Sequence, residues 1–415
     1  MSPNFGAMSE PHTATEPAEQ AAYRLAAREW LTANAELKTG VDDWSVEKDH
    51  AEEGALLAYF ERCKAWQRKT FDAGYAGITW ETAYGGQGGE SWQTRIFREE
   101  QAAFDVTNGF LAATNAMLGT ALRFHGTEEQ KVRFIPPMLK ADQTWCQLFS
   151  EPNAGSDLAG LACRAELDGE VFRVNGQKVW NSMAQAADWG FLLVRSNPDA
   201  PKHKGITFIL VDMSSPGIEV RPLLQPNGQS HFNEVFFNDV DIPVENVVGD
   251  IDAGWGVAKT VLMAESQFIG SSGGADTSTV LIEMAQRNGL SDDPVIRQEL
   301  ARAYMNERVL KLLAQILNDA VRSGKPAPID GALLKLKMAY NRVQFGDLAM
   351  AIMGPAGTAH VGPDSKRAME ELIGRFSVSI GGGTNEVGKN NIGHRMGLPR
   401  EPGVPIDTPW KDIPR

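Results

Sequence analysis

The feature that most constrains this chain is a change of hydrophobic period that happens twice. From about residue 17 to 145 apolar residues recur at three-to-four spacing. Tyr23, Leu25, Ala26, Trp30 and Leu31 form one such stripe, and Leu56, Leu57, Phe60, Cys63, Trp66 and Phe71 form another. That spacing gathers them on one face of an α-helix. From about 146 to 250 the period falls to two, in short runs cut by turn residues. From about 255 the helical period returns, with Val261, Leu262, Phe268 and Ile269 opening it. A long run over 295–322 ends at Ser323-Gly324-Lys325-Pro326, and another over 331–353 stops at Gly354-Pro355. Helices, then strands, then helices predict an all-β module set between two α modules.

Within the middle segment, Val171-Phe172-Arg173-Val174 lies between Asp168-Gly169 and Asn175-Gly176, both of which read as hairpin turns. Further strands are expected over 190–195, 205–212, 218–223 and 233–238. With no helical pattern between them, they suggest a small antiparallel barrel or sandwich. The predicted fold class is multidomain α+β. It has an N-terminal helical domain over 20–145, a middle antiparallel β-barrel domain over 146–254 and a C-terminal helical bundle over 255–402. A disordered tail over 1–19 and a Pro-rich tail over 403–415 flank them. Thr127, three residues before Gln130, marks a helix start with a capping box.

Composition narrows the function classes. A length of 415 residues suffices for two or three domains with a real core. A net charge of −13 argues against nucleic-acid binding. The three cysteines include no CxxC pair, and the seven histidines are scattered singly, so neither a disulfide framework nor a metal site is expected. The first 20 residues lack the basic start and apolar core of a signal peptide. The stretch 109–122 falls short of the roughly 18–20 apolar residues of a membrane span. The expectation is a cytoplasmic protein with no membrane segment.

Two stretches carry chemistry. In Trp145-Cys146-Gln147-Leu148-Phe149-Ser150-Glu151-Pro152-Asn153-Ala154-Gly155-Ser156-Asp157, a strand runs into a Pro/Asn/Gly/Ser turn. Such a turn either aims backbone N–H groups and small hydroxyls at a ligand or is a plain surface turn. In Val179-Trp180-Asn181-Ser182, the indole either stacks on a flat cofactor or plugs the barrel. The Tyr84-Gly85-Gly86-Gln87-Gly88-Gly89 turn has no Gly-Lys-Ser/Thr and so is not a phosphate-cradling P-loop.

Together these residues resemble the acyl-CoA dehydrogenase family. Residues 150–160 are similar to its flavin-loop signature, and 175–182 to its second flavin strand. Tyr84-Gly85-Gly86-Gln87-Gly88 and Gly126-Thr127-Glu128-Glu129-Gln130-Lys131 are similar to N-terminal landmarks. Gly381-Gly382-Gly383-Thr384-Asn385-Glu386, followed by His394-Arg395-Met396-Gly397-Leu398-Pro399-Arg400-Glu401, is similar to the C-terminal one. The resemblance spans about residues 20–402 in order. It implies FAD and conversion of an acyl-CoA to the trans-2-enoyl-CoA, with a carboxylate taking the α-proton and the β-hydrogen leaving as hydride. Carried over by position, Phe149, Ser150, Gly155, Ser156, Trp180 and Ser182 would line the flavin, with Thr384 and Glu386 on its other side. Ser156, Gly382 and Gly383 would meet the substrate. An electron-transfer flavoprotein would be the acceptor, and the assembly a homo- or heterotetramer built as a dimer of dimers.

Many members place the base directly before the Gly-Thr of the C-terminal motif, where this chain has Gly382. Another branch, similar to isovaleryl-CoA and long-chain dehydrogenases, takes it from the first helix after the barrel. There this chain has Leu262-Met263-Ala264-Glu265-Ser266, making Glu265 the expected base. Val261 and Leu262 lie four and three residues before it, Phe268 and Ile269 three and four after, so the carboxylate sits on an apolar stripe. Burial there raises a carboxyl pKa and makes a better base.

Two departures bear on assembly. The family's Arg-x-x-Phe-Gly, whose Arg reaches a neighbouring subunit's flavin, corresponds to 284–294, which reads MAQRNGLSDDP. Its Gln-x-x-Gly-Gly corresponds to Ala351-Ile352-Met353-Gly354-Pro355. Both changes suggest a mixed tetramer in which a different subunit completes each flavin site. Bacterial dehydrogenases of bulky steroid side-chain thioesters are built this way, and this sequence resembles that branch. The alternatives are a non-catalytic subunit that completes a partner's site, and a flavin oxidase or monooxygenase on the same fold. His125, His203 and His394 read as structural or exposed. Glu370-Glu371 reads as a solvated face, and Lys202-His203-Lys204 as a turn within reach of phosphates.

Overall fold

A computed structural model describes residues 16–38, 54–271, 277–323, 331–359, 362–399 and 403–414. Among the described residues, five α-helices precede the first strand: α1 (Ala18–Asn34), α2 (Ala55–Asp72), α3 (Ser91–Gln101), α4 (Gly109–His125) and α5 (Glu128–Lys140). The start of α5 is fixed locally, as expected. Gln130 N–H donates to Thr127 Oγ1 at 3.2 Å, and Thr127 N–H donates to Gln130 Oε1 at 3.1 Å. The Gln130 amide also donates to the carbonyls of Glu245 and Val247, which ties α5 to the exit of the β domain.

Seven strands follow: β1 (Trp145–Leu148), β2 (Arg164–Asp168), β3 (Val171–Val179), β4 (Trp189–Arg195), β5 (Ile206–Asp212), β6 (Ile218–Leu223) and β7 (Phe232–Pro243). They form one sheet in the order β1-β4-β2-β3-β7-β6, with β5 also paired to β4. The sheet is mixed, not purely antiparallel: β1 and β2 each pair with β4 in parallel. The β2–β3 hairpin lies between β1 and β4 in the chain and serves as the crossover that a parallel pair requires. Strands β4 and β5 are buried on both faces. Phe191, Leu193, Phe208 and Leu210 pack against helices, while Leu192, Val194, Ile209 and Val211 fill the sheet's own concave core. Their near-continuous apolar runs follow from that two-sided burial.

Asn175-Gly176 is a β-bulge within β3, not a hairpin turn, for the register against β7 slips between Val174 and Gly176. The reason is a close crossing. A Cβ on Gly176, whose φ is +152°, would lie 2.7 Å from Cys163 Cα, so the backbone bends where only glycine fits.

The C-terminal helices are α6 (Gly254–Ser271), α7 (Thr277–Arg287), α8 (Pro294–Ser323), α9 (Ala332–Met353), α10 (Pro363–Gly374), α11 (Ser377–Ile380) and α12 (Asn385–Arg395). Leu281, Met284, Leu300, Phe345, Leu348 and Ala368 form the centre of the bundle. Glu371 is not part of a solvated face. It is buried and pairs with Arg342 of α9 at 3.2 Å, because α10 packs that side onto α9.

Residues 1–15 of the expected N-terminal tail lie outside the described residues, and α1 already begins at Ala18. The Pro-rich C-terminal segment docks on the β domain. Trp410 N–H donates to Ala200 O, its indole N–H donates to Gly160 O at 3.3 Å, and the Arg195 guanidinium stacks on its ring at 4.8 Å. Burying the indole there gives the proline-rich segment a fixed seat. Among the described residues, no helix is long and apolar enough to cross a membrane.

Candidate active site

The site is assembled from β1, the turn after β3, α6, α9 and the glycine loop before α12. Helix α6 buries Val261 and Ala264 against α4 and β5, which turns the partly buried Glu265 toward the sheet. Burial pushes the Glu265 carboxyl above its ordinary value of 4.5, while a hydrogen bond from the Gln147 side chain and the Lys335 charge oppose that shift. Gln147 lies on β1, and its carbonyl accepts from Asn181 Nδ2 at 2.8 Å. One residue therefore links the Glu265 helix to the Trp180 turn.

Trp180 follows β3 with φ of +63°, and 60% of its surface is exposed. A bulky residue in the left-handed region is held there by its surroundings. Asn181 N–H donates to Asn233 O, Asn233 Nδ2 donates to Asn181 O, and Phe232 meets the indole edge-on at 5.9 Å. The result is a fixed, open aromatic face. Beside it, Asn181 Oδ1 is buried with no hydrogen-bond donor among the described residues. An open ring face and an unsatisfied acceptor suit a flat heteroaromatic group that carries N–H, such as a flavin.

The turn after β1 is shaped by a buried ion pair. Glu151 accepts from Ala162 N–H at 2.7 Å, from Cys163 N–H at 2.9 Å and from Lys178 Nζ at 2.7 Å. Lys178 also donates to Phe149 O at 3.0 Å. Every polar atom of this buried pair also bonds to backbone, so both ends of the turn are fixed. Val179 N–H donates to Ser150 O, which lays Ser150 beside the Trp180 segment. Gly155 and Ser156 sit in the exposed turn, and Ser150 and Ser182 are half-buried. The Phe149 side chain does not reach this surface. It is buried edge-on against Phe191 and Phe208, leaving only its backbone toward the turn.

On the far side, Gly382 and Gly383 both take left-handed backbone angles, with φ of +64° and +91°. Thr384 caps α12 by accepting from Val387 N–H at 3.3 Å, and Glu386 is exposed in the first turn. Thr384 and Glu386 line a cleft of about 860 Å³, together with Tyr340, Gln344, Phe376 and Ile380. Ala351 lines it too, where a longer polar side chain was expected on family grounds. Arg287, the cation in the 284–294 region, is committed within the chain to Asp364 at 2.7 Å and Glu283 at 3.7 Å.

Lys335, Gln147, Glu151 and Lys178 were not anticipated as site residues. A lysine in Leu333-Leu334-Lys335-Leu336 is the one visible signal, since a cation four residues before the fully buried Ala339 falls on an apolar stripe. His125 Nε2 pairs with Thr260 Oγ1 at 2.8 Å, tying α4 to α6, and His203 packs on Trp255. Lys202 is paired with Asp157 at 2.5 Å.

With this geometry in place, three comparisons with known proteins bear on it. Family models for acyl-CoA dehydrogenases match residues 17–142 (N-terminal domain), 146–240 (middle domain) and 252–397 (C-terminal domain). The acyl-CoA dehydrogenase IpdE1 of Mycobacterium tuberculosis is 34% identical over 388 residues, covering 91% of this chain and 98% of the relative. A solved structure described as the Tcur3481-Tcur3483 steroid ACAD is similar with a TM-score of 0.75 and 27% identity, over 93% of this chain and 99% of that one. The ChsE4-ChsE5 complex from Mycobacterium tuberculosis is similar at a TM-score of 0.72 and 27% identity, over 94% of this chain and all of that one. Matched along nearly its whole length by the family's three domains in order, the chain is a member of the acyl-CoA dehydrogenase family.

Proposed function

We propose that this enzyme carries out the FAD-dependent α,β-dehydrogenation of a bulky, steroid-type acyl-CoA, with Glu265 as the base, and that a second, non-identical subunit completes the flavin site. The observation that carries the reading is the Glu265 carboxyl, raised by burial, hydrogen-bonded by Gln147 and acted on by Lys335, whose ammonium holds the loop that offers Gly382 where many relatives have their base. FAD, when bound, supplies the hydride-accepting chemistry. Residues Ser150, Gly155, Ser156, Trp180, Ser182, Thr384 and Glu386 would hold it. Glu265 takes the α-proton of the thioester, and the backbone of Gly382 and Gly383 receives the thioester carbonyl, with Ser156 near the CoA. Glycine at 382 leaves space for a bulky acyl group.

The two-subunit part rests on Arg287 being engaged within the chain and on Ala351 facing the cleft. It is supported by similarity to structures described by paired names, the Tcur3481-Tcur3483 steroid ACAD and the ChsE4-ChsE5 complex. An electron-transfer flavoprotein is the acceptor we expect. The test is the visible absorption of the purified chain before and after adding a steroid side-chain acyl-CoA or a straight-chain acyl-CoA. A flavin band bleached faster by the bulky thioester supports the reading, and bound flavin that no acyl-CoA bleaches contradicts it. A folded but colourless chain supports the partner requirement.

A further inference from the structure

Lys335 is a lysine where a lysine is costly. It lies on α9 with only 8% of its surface exposed, and burial pulls its ammonium below the ordinary lysine value. Buried ammonium groups persist only where they are paired and hydrogen-bonded. Its partners come from three different elements. Nζ donates to the carbonyl of Gly383 in the glycine loop, and its charge acts on Glu265 of α6 and Glu386 of α12. The lysine thus stands where the base and the loop expected to receive the thioester converge.

Glu265's own helix and the elements packed around it carry other charged or titratable groups: Lys259 on α6, Arg123 and His125 on α4, Asp212 on β5, and Lys337, Tyr340, Arg342 and Asp347 on α9. The charge that acts on the Glu265 carboxyl is Lys335, and it favours the ionised form against burial. The same side chain grips the carbonyl of a residue in the left-handed conformation, at the turn where Gly382 and Gly383 reverse the chain. A tether to a carbonyl needs only a hydrogen-bond donor. A neutral glutamine would serve without the cost of a buried charge, so the charge calls for a separate reason.

We propose that Lys335 is a positioning residue for the reaction: its buried ammonium, anchored on the Gly383 carbonyl, fixes the Gly382-Gly383 turn and sets a positive charge toward Glu265, holding base and thioester-binding loop in one frame. This rests on the dehydrogenase reading above.

Three variants separate charge from tether. Lys335→Met removes both, Lys335→Gln keeps a donor for Gly383 O, and Lys335→Arg keeps the charge. In the flavin-loaded enzyme with any partner it requires, the acidic limb of the kcat/KM profile should move up by about one pH unit in K335M and K335Q. It should stay near the wild-type position in K335R. An acidic limb unmoved in K335Q would overturn the proposal and leave Lys335 a structural tether. A second readout needs neither flavin nor turnover. A double-mutant cycle of K335Q with Glu265→Gln, read as unfolding midpoints, should show coupling near neutral pH that fades as the pH falls toward the ordinary carboxyl value of 4.5. Coupling that is absent, or the same at every pH, would contradict it. Wild-type enzyme whose flavin no acyl-CoA bleaches would instead sink the dehydrogenase reading, while the cycle would still report on the pair.

Discussion

At the scale of single residues, Glu265 sits at a balance of opposing effects. Burial alone favours the neutral acid, which cannot accept a proton, whereas full solvation gives a weak base. Gln147 and Lys335 oppose burial and leave the carboxyl raised but still able to ionise. The sign of the linked stability follows. A carboxyl whose folded pKa lies above its unfolded value contributes stability fully below the ordinary 4.5, and that contribution is lost as the pH rises through the raised value. Glu265→Gln should therefore gain stability relative to wild type as the pH is raised from about 5 to about 8. Unfolding midpoints across that range test this, and a constant difference between the two proteins would contradict it. Glu265 was legible because its neighbours at helical spacing are visible in the chain. Lys335 and Gln147 were not, because each acquires its meaning from partners that only folding brings near, such as the Gly383 carbonyl 48 residues from Lys335.

At the scale of elements, local signals were readable and long-range ones were not. The capping box at Thr127 involves groups three residues apart, so the sequence contains the whole interaction. The strands were visible from their period and their turns. The bulge at Gly176 was hidden, since an Asn-Gly pair favours a turn unless a neighbouring strand crosses too closely, as the Cys163 backbone does here. The turn after β1 depends on the Lys178–Glu151 pair, whose removal leaves one buried charge unpaired. Lys178→Met should cost about 3–5 kcal/mol by denaturant unfolding and weaken flavin retention. The milder Glu151→Gln should retain part of the backbone bonding and so more of the flavin. Wild-type flavin affinity in both variants would show that the turn holds its shape without the pair.

At the scale of the whole molecule, the helix–sheet–helix order was legible from hydrophobic period alone, but the seat of the C-terminal segment was not. Proline-rich composition carries no sign of what a lone indole packs on. Trp410 reaches Gly160 and stacks on Arg195, which in turn donates to Ala159 O at 2.6 Å, just beyond the turn after β1. Trp410→Ala should lower stability by about 3 kcal/mol and loosen flavin binding, measured by unfolding and by flavin release on dilution. Unchanged release would restrict the segment to a structural clasp. The proposed second subunit would act at this scale too, beside an Arg287 held within the chain and a wide cleft at Thr384 and Glu386.

The most direct test of the account is the rate at which acyl-CoA bleaches the flavin in Glu265→Gln enzyme, compared with wild type, at matched flavin content and with any partner subunit present. Loss of a general base should slow bleaching by about 10²–10⁴-fold while flavin and thioester still bind. Bleaching at the wild-type rate would show that another group takes the α-proton and that Glu265 is not the base.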